Sequence, residues 1–223
     1  MKTNPDKDPK SKPRDGLSYL AEVILDDCHK ELFEKAKATC RGGAVWRQRK
    51  LSEIHDFLAL SQLSGRINTM FLNLSGPLRI LFEMKVTVPT LPDPAGELIV
   101  ADRAHLGLTY REEAIRLPQP GYSFIEALQP NHIWLANAAP SDPAFPRFGP
   151  GQAICLGATI EAGTPVKELI LMSFGALTLQ SVQLDALDAA GVMNDVSARW
   201  WMQNRDRIPL TREAFIETES KEK

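Results

Sequence analysis

The sequence predicts an α+β fold, because the spacing of its apolar residues changes twice along the chain. Near the N-terminus these residues recur every three to four positions, as in an amphipathic helix. In the middle they alternate within short segments rich in β-forming residues, and after residue 160 the helical spacing returns. Consecutive strands with helices on either side are typical of an α+β domain with an antiparallel sheet.

Two helices are predicted before the sheet. The first should end near Gly43, and one of its faces carries Leu17, Leu20, Ile24, Cys28 and Leu32. Cys28 is therefore expected in the core. The second helix is predicted to start near Ser52 and to bury Ile54, Leu58 and Leu63.

Strands are predicted at 67–74 and at 78–88, where the second is expected to end at Pro89. The segment 91–96 contains two prolines and a glycine and reads as a loop. Further strands are expected at 105–111 and 132–137. The order of these segments favours an antiparallel meander.

Helices return in the last third of the chain. Thr164 is a plausible N-cap with Pro165 at the first helical position, and the helix that follows should bury Leu169, Ile170, Phe174 and Leu177. Another helix is expected to start at Asn194 or Asp195. It carries Trp200 and Trp201, of which only one can place its ring in the core.

The chain is predicted to have four parts: a disordered tail at 1–14, an N-terminal helical extension at 15–48, a core at 49–210 and a polar C-terminal tail at 211–223. Residues 1–14 lack the apolar centre of a secretory signal, and the apolar stretch 169–182 is too short to span a bilayer. A net charge of -2 provides no basic field for nucleic acid or an anionic membrane. Three unpaired cysteines favour a reducing cytoplasm.

Cys155 is the candidate functional residue. It follows a stretch rich in proline and glycine, 143–151, which can present a thiol at the surface while Ile154 and Leu156 anchor it. A small buried hydrophobe is the alternative. Neither Cys28 nor Cys40 belongs to a CxxC pair, so a zinc site is improbable and no metal or cofactor is expected.

The region around Cys155 resembles the active site of ubiquitin-conjugating enzymes, above all the divergent bacterial members encoded beside ubiquitin-like modifiers. Three segments carry this resemblance: QAICLG at 152–157, AGTPVKELI at 162–170 and GVMNDVSA at 191–198. It covers roughly 50–205 and implies the ubiquitin-conjugating-enzyme fold, with an N-terminal helix, a four-stranded antiparallel meander, the cysteine stretch and C-terminal helices.

The resemblance implies a transferase. Cys155 would receive a ubiquitin-like modifier from an activating enzyme as a thioester and pass it to an amine of a target protein. By analogy the setting is anti-phage defence in bacteria. Asp188, with Asp185 as the weaker match, would be the acidic residue that faces the cysteine.

Two family features are replaced in this sequence. The His-Pro-Asn motif appears as Phe145-Pro146-Arg147, and the Trp of the Trp-x-Pro turn is Gly163. Arg147, or the backbone amides of Leu156 and Gly157, would then stabilise the oxyanion in place of the asparagine.

Two other functions remain open from the sequence. One is a catalytically silent scaffold with the same fold, which binds a modifier or partner without forming a thioester. The other is a cysteine hydrolase that uses Cys155 with His132.

Overall fold

The structure is a computed structural model, and it describes residues 18–141, 151–180, 184, 192–209 and 214–216. Two helices come first, α1 (Asp27–Thr39) and α2 (Ala44–Ser64). The strands follow: β1 (Ile67–Asn73), β2 (Leu78–Thr90), β3 (Ile99–Tyr110), β4 (Gln119–Pro120), β5 (Ile125–Gln129), β6 (Gln152–Ile154) and β7 (Thr159–Ile160). Two helices, α3 (Val166–Leu177) and α4 (Asp195–Gln203), lie C-terminal to them. The predicted tail at 1–14 lies outside the described residues.

The main sheet has five strands in the order β1-β2-β3-β5-β6, and every pairing is antiparallel. A second, two-stranded sheet joins β4 to β7. The prediction of an α+β fold with an antiparallel sheet and several helices is confirmed. Strands 67–73 and 78–90 match the predicted ones closely, and β2 continues through Pro89.

Regular alternation along β2 creates one face of the core. Its alternate residues are buried: Leu78, Ile80, Phe82, Met84, Val86 and Val88. Phe57 of α2 packs on Phe82 with ring centroids 5.7 Å apart. The predicted inward residues of α3 are all buried as well. Burial of alternate strand residues against apolar helix faces is what holds the two layers together.

A carboxylate joins α2 to α3 inside this core. Glu53 Oε2 accepts a hydrogen bond of 2.7 Å from the Val166 amide, and Glu53 Oε1 lies 2.6 Å from Arg49 Nε. Burial raises the pKa of Glu53, and the charge of Arg49 offsets part of that shift. Arg49 also donates to the Gly163 carbonyl at 2.8 Å. Together these bonds hold the start of α3 against α2.

The predicted first helix is wrong in its extent. A short 3₁₀ helix, Ser18–Glu22, is followed by extended chain, and α1 begins only at Asp27. Asp26 caps α1, because its side chain accepts a 2.9 Å hydrogen bond from the His29 amide. This break in the helix leaves Cys28 exposed rather than in the core, and Ile24 is 89% exposed.

The second helix begins earlier than predicted, at Ala44. Ile54 and Leu58 are buried as expected, whereas Leu63 is 37% exposed because it lies in the last turn of the helix. Trp46, in the added first turns, is buried and stacks on Tyr110 of β3. Residues assigned to an N-terminal extension thus contribute to the main core, as does Leu20.

The predicted strand at 132–137 is not formed. Pro130 has no N–H to continue β5, and His132 has a φ of 59°, which turns the chain. Only an isolated bridge joins Ile133 to Thr90 at the end of β2. The strand of this region is β5, which the sequence analysis did not predict.

The cap of α3 differs by one residue from the prediction. Pro165 is the N-cap, and the Thr164 hydroxyl donates to the Glu161 carbonyl instead. Asn194 is the N-cap of α4, as expected, since its side chain accepts from the Ser197 amide at 3.0 Å. Trp201 is fully buried, while Trp200 is partly exposed, so one ring of the pair lies in the core.

The C-terminal segment predicted as a polar tail contributes one core residue within its described part. Phe215 is buried and packs on Phe174, with ring centroids 5.1 Å apart. Among the helices that the structure describes, none combines the length and the hydropathy needed to cross a membrane.

Candidate active site around Cys155

Cys155 follows the last residue of β6 and lies inside a sheet-like arrangement rather than at its edge. On one side β6 pairs with β5, where Ile154 lies opposite Ile125. On the other side an isolated bridge joins Ile154 to Ala138, and the Ala139 amide donates to the Ala153 carbonyl at 2.8 Å. The main chain that leads to the thiol is therefore held from both sides.

Asn137 binds both polar groups of the Cys155 backbone. The Cys155 amide donates to the Asn137 carbonyl at 2.7 Å, and Asn137 Nδ2 donates to the Cys155 carbonyl at 3.1 Å. Asn137 is only 4% exposed. Its other side-chain atom, Oδ1, is buried and has no hydrogen-bond partner among the residues that the structure describes. The sequence analysis missed this residue, because nothing in its local pattern separates it from an ordinary loop asparagine.

The backbone after Cys155 lies directly on Gly121. A β-carbon on Gly121 would be 2.0 Å from the Gly157 carbonyl oxygen and 2.7 Å from its amide nitrogen. Gly157 has a φ of 141°, a conformation that side chains rarely allow. The Leu156 amide donates to the Gly121 carbonyl at 3.3 Å. Both glycines are therefore required for the path of the chain past the thiol.

Gln152 closes the loop that carries Asn137. Its Oε1 accepts from the Ile133 amide at 2.8 Å, and its Nε2 donates to the carbonyls of Ile133 and Ala139 at 3.2 and 2.8 Å. One side chain thereby binds both ends of the 133–139 segment. The carbonyl of Ala136, within this segment, accepts from the amides of Met193 and Asn194, so the start of α4 is tied to the same loop.

The thiol of Cys155 is covered in this conformation. Cys155 is 8% exposed, and its Sγ lies 3.1 Å from the Gly157 carbonyl oxygen, to which the thiol donates. Burial raises the pKa of the Cys155 thiol, because the charged thiolate is the form that loses most from removal of water. The expectation of a thiol presented at the surface is not met by this conformation.

Three predicted partners of Cys155, Arg147, Asp185 and Asp188, lie outside the described residues. Of the two backbone amides proposed for an oxyanion, that of Leu156 is already engaged with the Gly121 carbonyl. His132 is exposed in a turn, and in the described residues no hydrogen bond or ion pair joins it to Cys155.

The other two cysteines are separate from this site. Cys40 is buried at the C-cap of α1, and Cys28 is exposed in the first turn of that helix. Within the described ranges, no group of three or more histidine, cysteine or acidic residues is arranged to hold a metal ion.

A cleft of about 520 Å³ borders the 133–139 segment. Trp134 and Pro140 line it together with the β2–β3 loop and the first turn of α4. Apolar side chains share its lining with His132, Ser141, Asn194 and Asp195, and neither Asn137 nor Cys155 lines it.

The chain matches no family model, no curated protein and no solved structure.

Proposed function

We propose that this chain has a ubiquitin-conjugating-enzyme-like fold and carries a ubiquitin-like modifier as a thioester on Cys155. The modifier comes from an activating enzyme and is passed to an amine of a target protein. The observation that carries the proposal is the position of Cys155, which directly follows β6 of the five-stranded antiparallel sheet and has both backbone polar groups bound by Asn137. The order of helices, meander, cysteine and helices is also the order that the resemblance implies.

The chemistry requires two acyl transfers. In the first, the Cys155 sulfur attacks the carbonyl carbon of the activating enzyme's thioester; a new C–S bond forms and the enzyme's thiolate leaves. In the second, an amine attacks the Cys155 thioester, a C–N bond forms, the amine loses a proton and the Cys155 thiolate leaves. A thioester is opened readily by an amine, so the chain needs no cofactor.

Burial of the thiol means that loading requires a local opening. At 8% exposure Cys155 cannot meet the thioester of a second protein in the observed conformation. Movements of this kind are ordinary in enzymes whose active sites close over reactive groups. While the site is closed, the raised pKa of Cys155 keeps the thiol protonated and unreactive.

Incubation with a ubiquitin-like modifier, its activating enzyme and ATP tests the proposal. Non-reducing electrophoresis should show an adduct that dithiothreitol removes. The adduct should be absent in Cys155→Ala and retained in Cys28→Ser, a matched control because Cys28 is the exposed cysteine that non-specific chemistry would modify. An adduct that persists in Cys155→Ala would contradict the proposal.

Arg147 and Asp188 are proposed to act in the second transfer. Arg147→Ala should leave loading of Cys155 intact and slow discharge, because a cation near the oxyanion lowers the barrier. Asp188→Asn should also slow discharge, since a carboxylate helps the lysine to lose its proton. Asp185→Asn is the matched control. Unchanged discharge in Arg147→Ala would remove that residue from the mechanism.

A silent scaffold is the second candidate, and the burial of Cys155 favours it. It predicts that the modifier binds without a covalent adduct, and that Cys155→Ala does not weaken binding. The Cys–His hydrolase has less support, because His132 is exposed and Cys155 donates to a backbone carbonyl instead. It predicts acyl-probe labelling of Cys155 that disappears in His132→Ala.

The bacterial defence setting and a cytoplasmic location belong to the same proposal. Genes for a ubiquitin-like protein, an activating enzyme and a deconjugating peptidase beside this one would support it.

A further inference from the structure

Asn137 presents a buried acceptor at the site. The orientation of its amide is fixed by chemistry, because the Cys155 carbonyl oxygen can only accept and must therefore face Nδ2. Oδ1 is then left without a donor within the described part of the chain, in a residue that is 4% exposed. An unpaired buried acceptor destabilises the folded state, so such atoms are uncommon and are often explained by function.

The missing partner of this acceptor has to be a hydrogen-bond donor. Oδ1 carries partial negative charge, so it would repel an oxyanion and a thiolate. Two groups of the proposed transfer carry N–H bonds, the peptide of the acyl group and the attacking amine, and only the nitrogen of the amine gains positive charge as the reaction proceeds. As it attacks, its lone pair points at the thioester carbon and its N–H bonds point away from it.

We propose that Asn137 Oδ1 accepts an N–H of the amine that attacks the Cys155 thioester; this rests on the proposed function. Nδ2 stays on the Cys155 carbonyl and keeps the amide in place. The nitrogen becomes positively charged as the C–N bond forms, so its hydrogen bond to Oδ1 strengthens in the transition state. Oδ1 is not a base, and the proton that the nitrogen loses passes to solvent as the Cys155 thiolate leaves.

The inference requires an opening of the site that uncovers both Asn137 Oδ1 and Cys155 Sγ. Both Oδ1 and Sγ are shielded in the observed conformation, and both belong to the paired segments 137–139 and 153–155. The inference requires that the movement which admits an acyl group to Sγ also admits an amine to Oδ1. Asn137 thereby becomes a catalytic residue for aminolysis and not for thiol exchange.

The test compares two nucleophiles on one acyl-enzyme. The thiophenyl thioester of acetylglycine acylates Cys155 in a Cys28→Ser chain, and peptide mass spectrometry confirms the site. The acyl group is then discharged with glycinamide, which has N–H donors, or with 2-mercaptoethanol, whose attacking thiolate has none.

Asn137→Ala should slow discharge to glycinamide about three- to tenfold, the range that one hydrogen bond contributes, and leave discharge to the thiol unchanged. Equal slowing with both nucleophiles, or unchanged discharge to glycinamide in Asn137→Ala, overturns the inference. So does a parent chain that accepts no acetylglycyl group on Cys155.

This outcome is separable from that of the proposed function. Suppose that Asn137→Ala slows discharge to glycinamide but not to the thiol, while the modifier and its activating enzyme give no adduct. This pair of results would reject the modifier-carrying function and keep the role of Asn137.

Discussion

Gly121 and Gly157 pack backbone against backbone beside the candidate nucleophile. A β-carbon on Gly121 would lie 2.0 Å from the Gly157 carbonyl oxygen, far inside van der Waals contact. The same carbonyl oxygen accepts the hydrogen bond of the Cys155 thiol. Because position 121 has no side chain, the Gly157 carbonyl can lie where it accepts the hydrogen bond of the Cys155 thiol.

Gly121→Ala is expected to displace the segment 155–157. The atoms in the way belong to the backbone and cannot move as a side-chain tip can, so the loss of stability should be about 1–3 kcal/mol. Urea unfolding measures it, and the rate of Cys155 alkylation should change as well. Gly76→Ala is the control, since nothing lies within 4 Å of its β-carbon position. Equal stability of the two variants would contradict this packing.

The Cys155 thiol should react with iodoacetamide only at elevated pH. Burial raises its pKa, so the thiolate forms later in the folded chain than in the urea-unfolded chain. The pH midpoint of Cys155 alkylation, followed by peptide mass spectrometry, should therefore fall on unfolding. An equal or higher midpoint in the unfolded chain would show that the thiol is not shielded.

Glu53 should make the folded state less stable as pH rises. Its folded pKa lies above the ordinary value of 4.5, so the folded state holds the proton more tightly than the unfolded state. The stability contribution is fully present below pH 4.5 and is lost as pH rises through the folded pKa. Urea unfolding across this window measures the free energy of unfolding of wild type and of Glu53→Gln. As pH rises, the value for wild type should fall relative to the value for Glu53→Gln.

Glu53→Ala separates the capping role of this side chain from its charge. It leaves the Val166 amide buried without an acceptor, which should cost about 1–3 kcal/mol. Glu53→Gln keeps an oxygen acceptor and should cost less at neutral pH. Equal losses in the two variants would mean that the ion pair with Arg49, and not the cap, holds α3 in place.

Gln152→Leu should destabilise the loop that carries Asn137. The substitution keeps the approximate volume but leaves the Ile133 amide and two carbonyls without their partner. We expect a loss of about 2–4 kcal/mol, because several partly buried polar groups lose their hydrogen bonds together. Gln119→Leu is the control, as it removes one exposed bond to Leu117. A similarly small loss in both would argue against the closing role of Gln152.

Lys50→Met tests a buried ammonium that the sequence analysis did not identify. Lys50 is fully buried, and its Nζ donates to the carbonyls of Arg41, Leu74 and Gly76. Methionine fills the space but removes the donor to all three carbonyls, of which that of Leu74 keeps the Arg41 amide, and this should cost about 2–4 kcal/mol in urea unfolding. Lys35→Met, at an exposed ion pair with Glu31, should be nearly neutral. A neutral Lys50→Met would contradict the assignment.

Elements with a strong local pattern were predicted well. The burial of β2 alternates from Leu78 to Val88, α3 is apolar on the face it buries, and Asn194 is a good N-cap for α4. The predictions were wrong where a single residue interrupts the helical or strand pattern. Asp26 caps α1 inside the apolar stripe, and the turn at His132 stops a segment that is otherwise typical of a strand.

The sequence by itself determined the fold class, most of the elements and the choice of Cys155 as the residue of interest, because these depend on local spacing and side-chain type. The tertiary structure decided how that thiol is held. Asn137 binds Cys155 from 18 positions away, and Glu53 caps α3 from 113 positions away. No periodic pattern in a single sequence marks such contacts. A polar residue that makes one cannot be told from other polar residues until folding brings its partner within hydrogen-bond distance. The burial of the thiol has the same origin, because it depends on which segments cover Cys155 and not on the residues next to it.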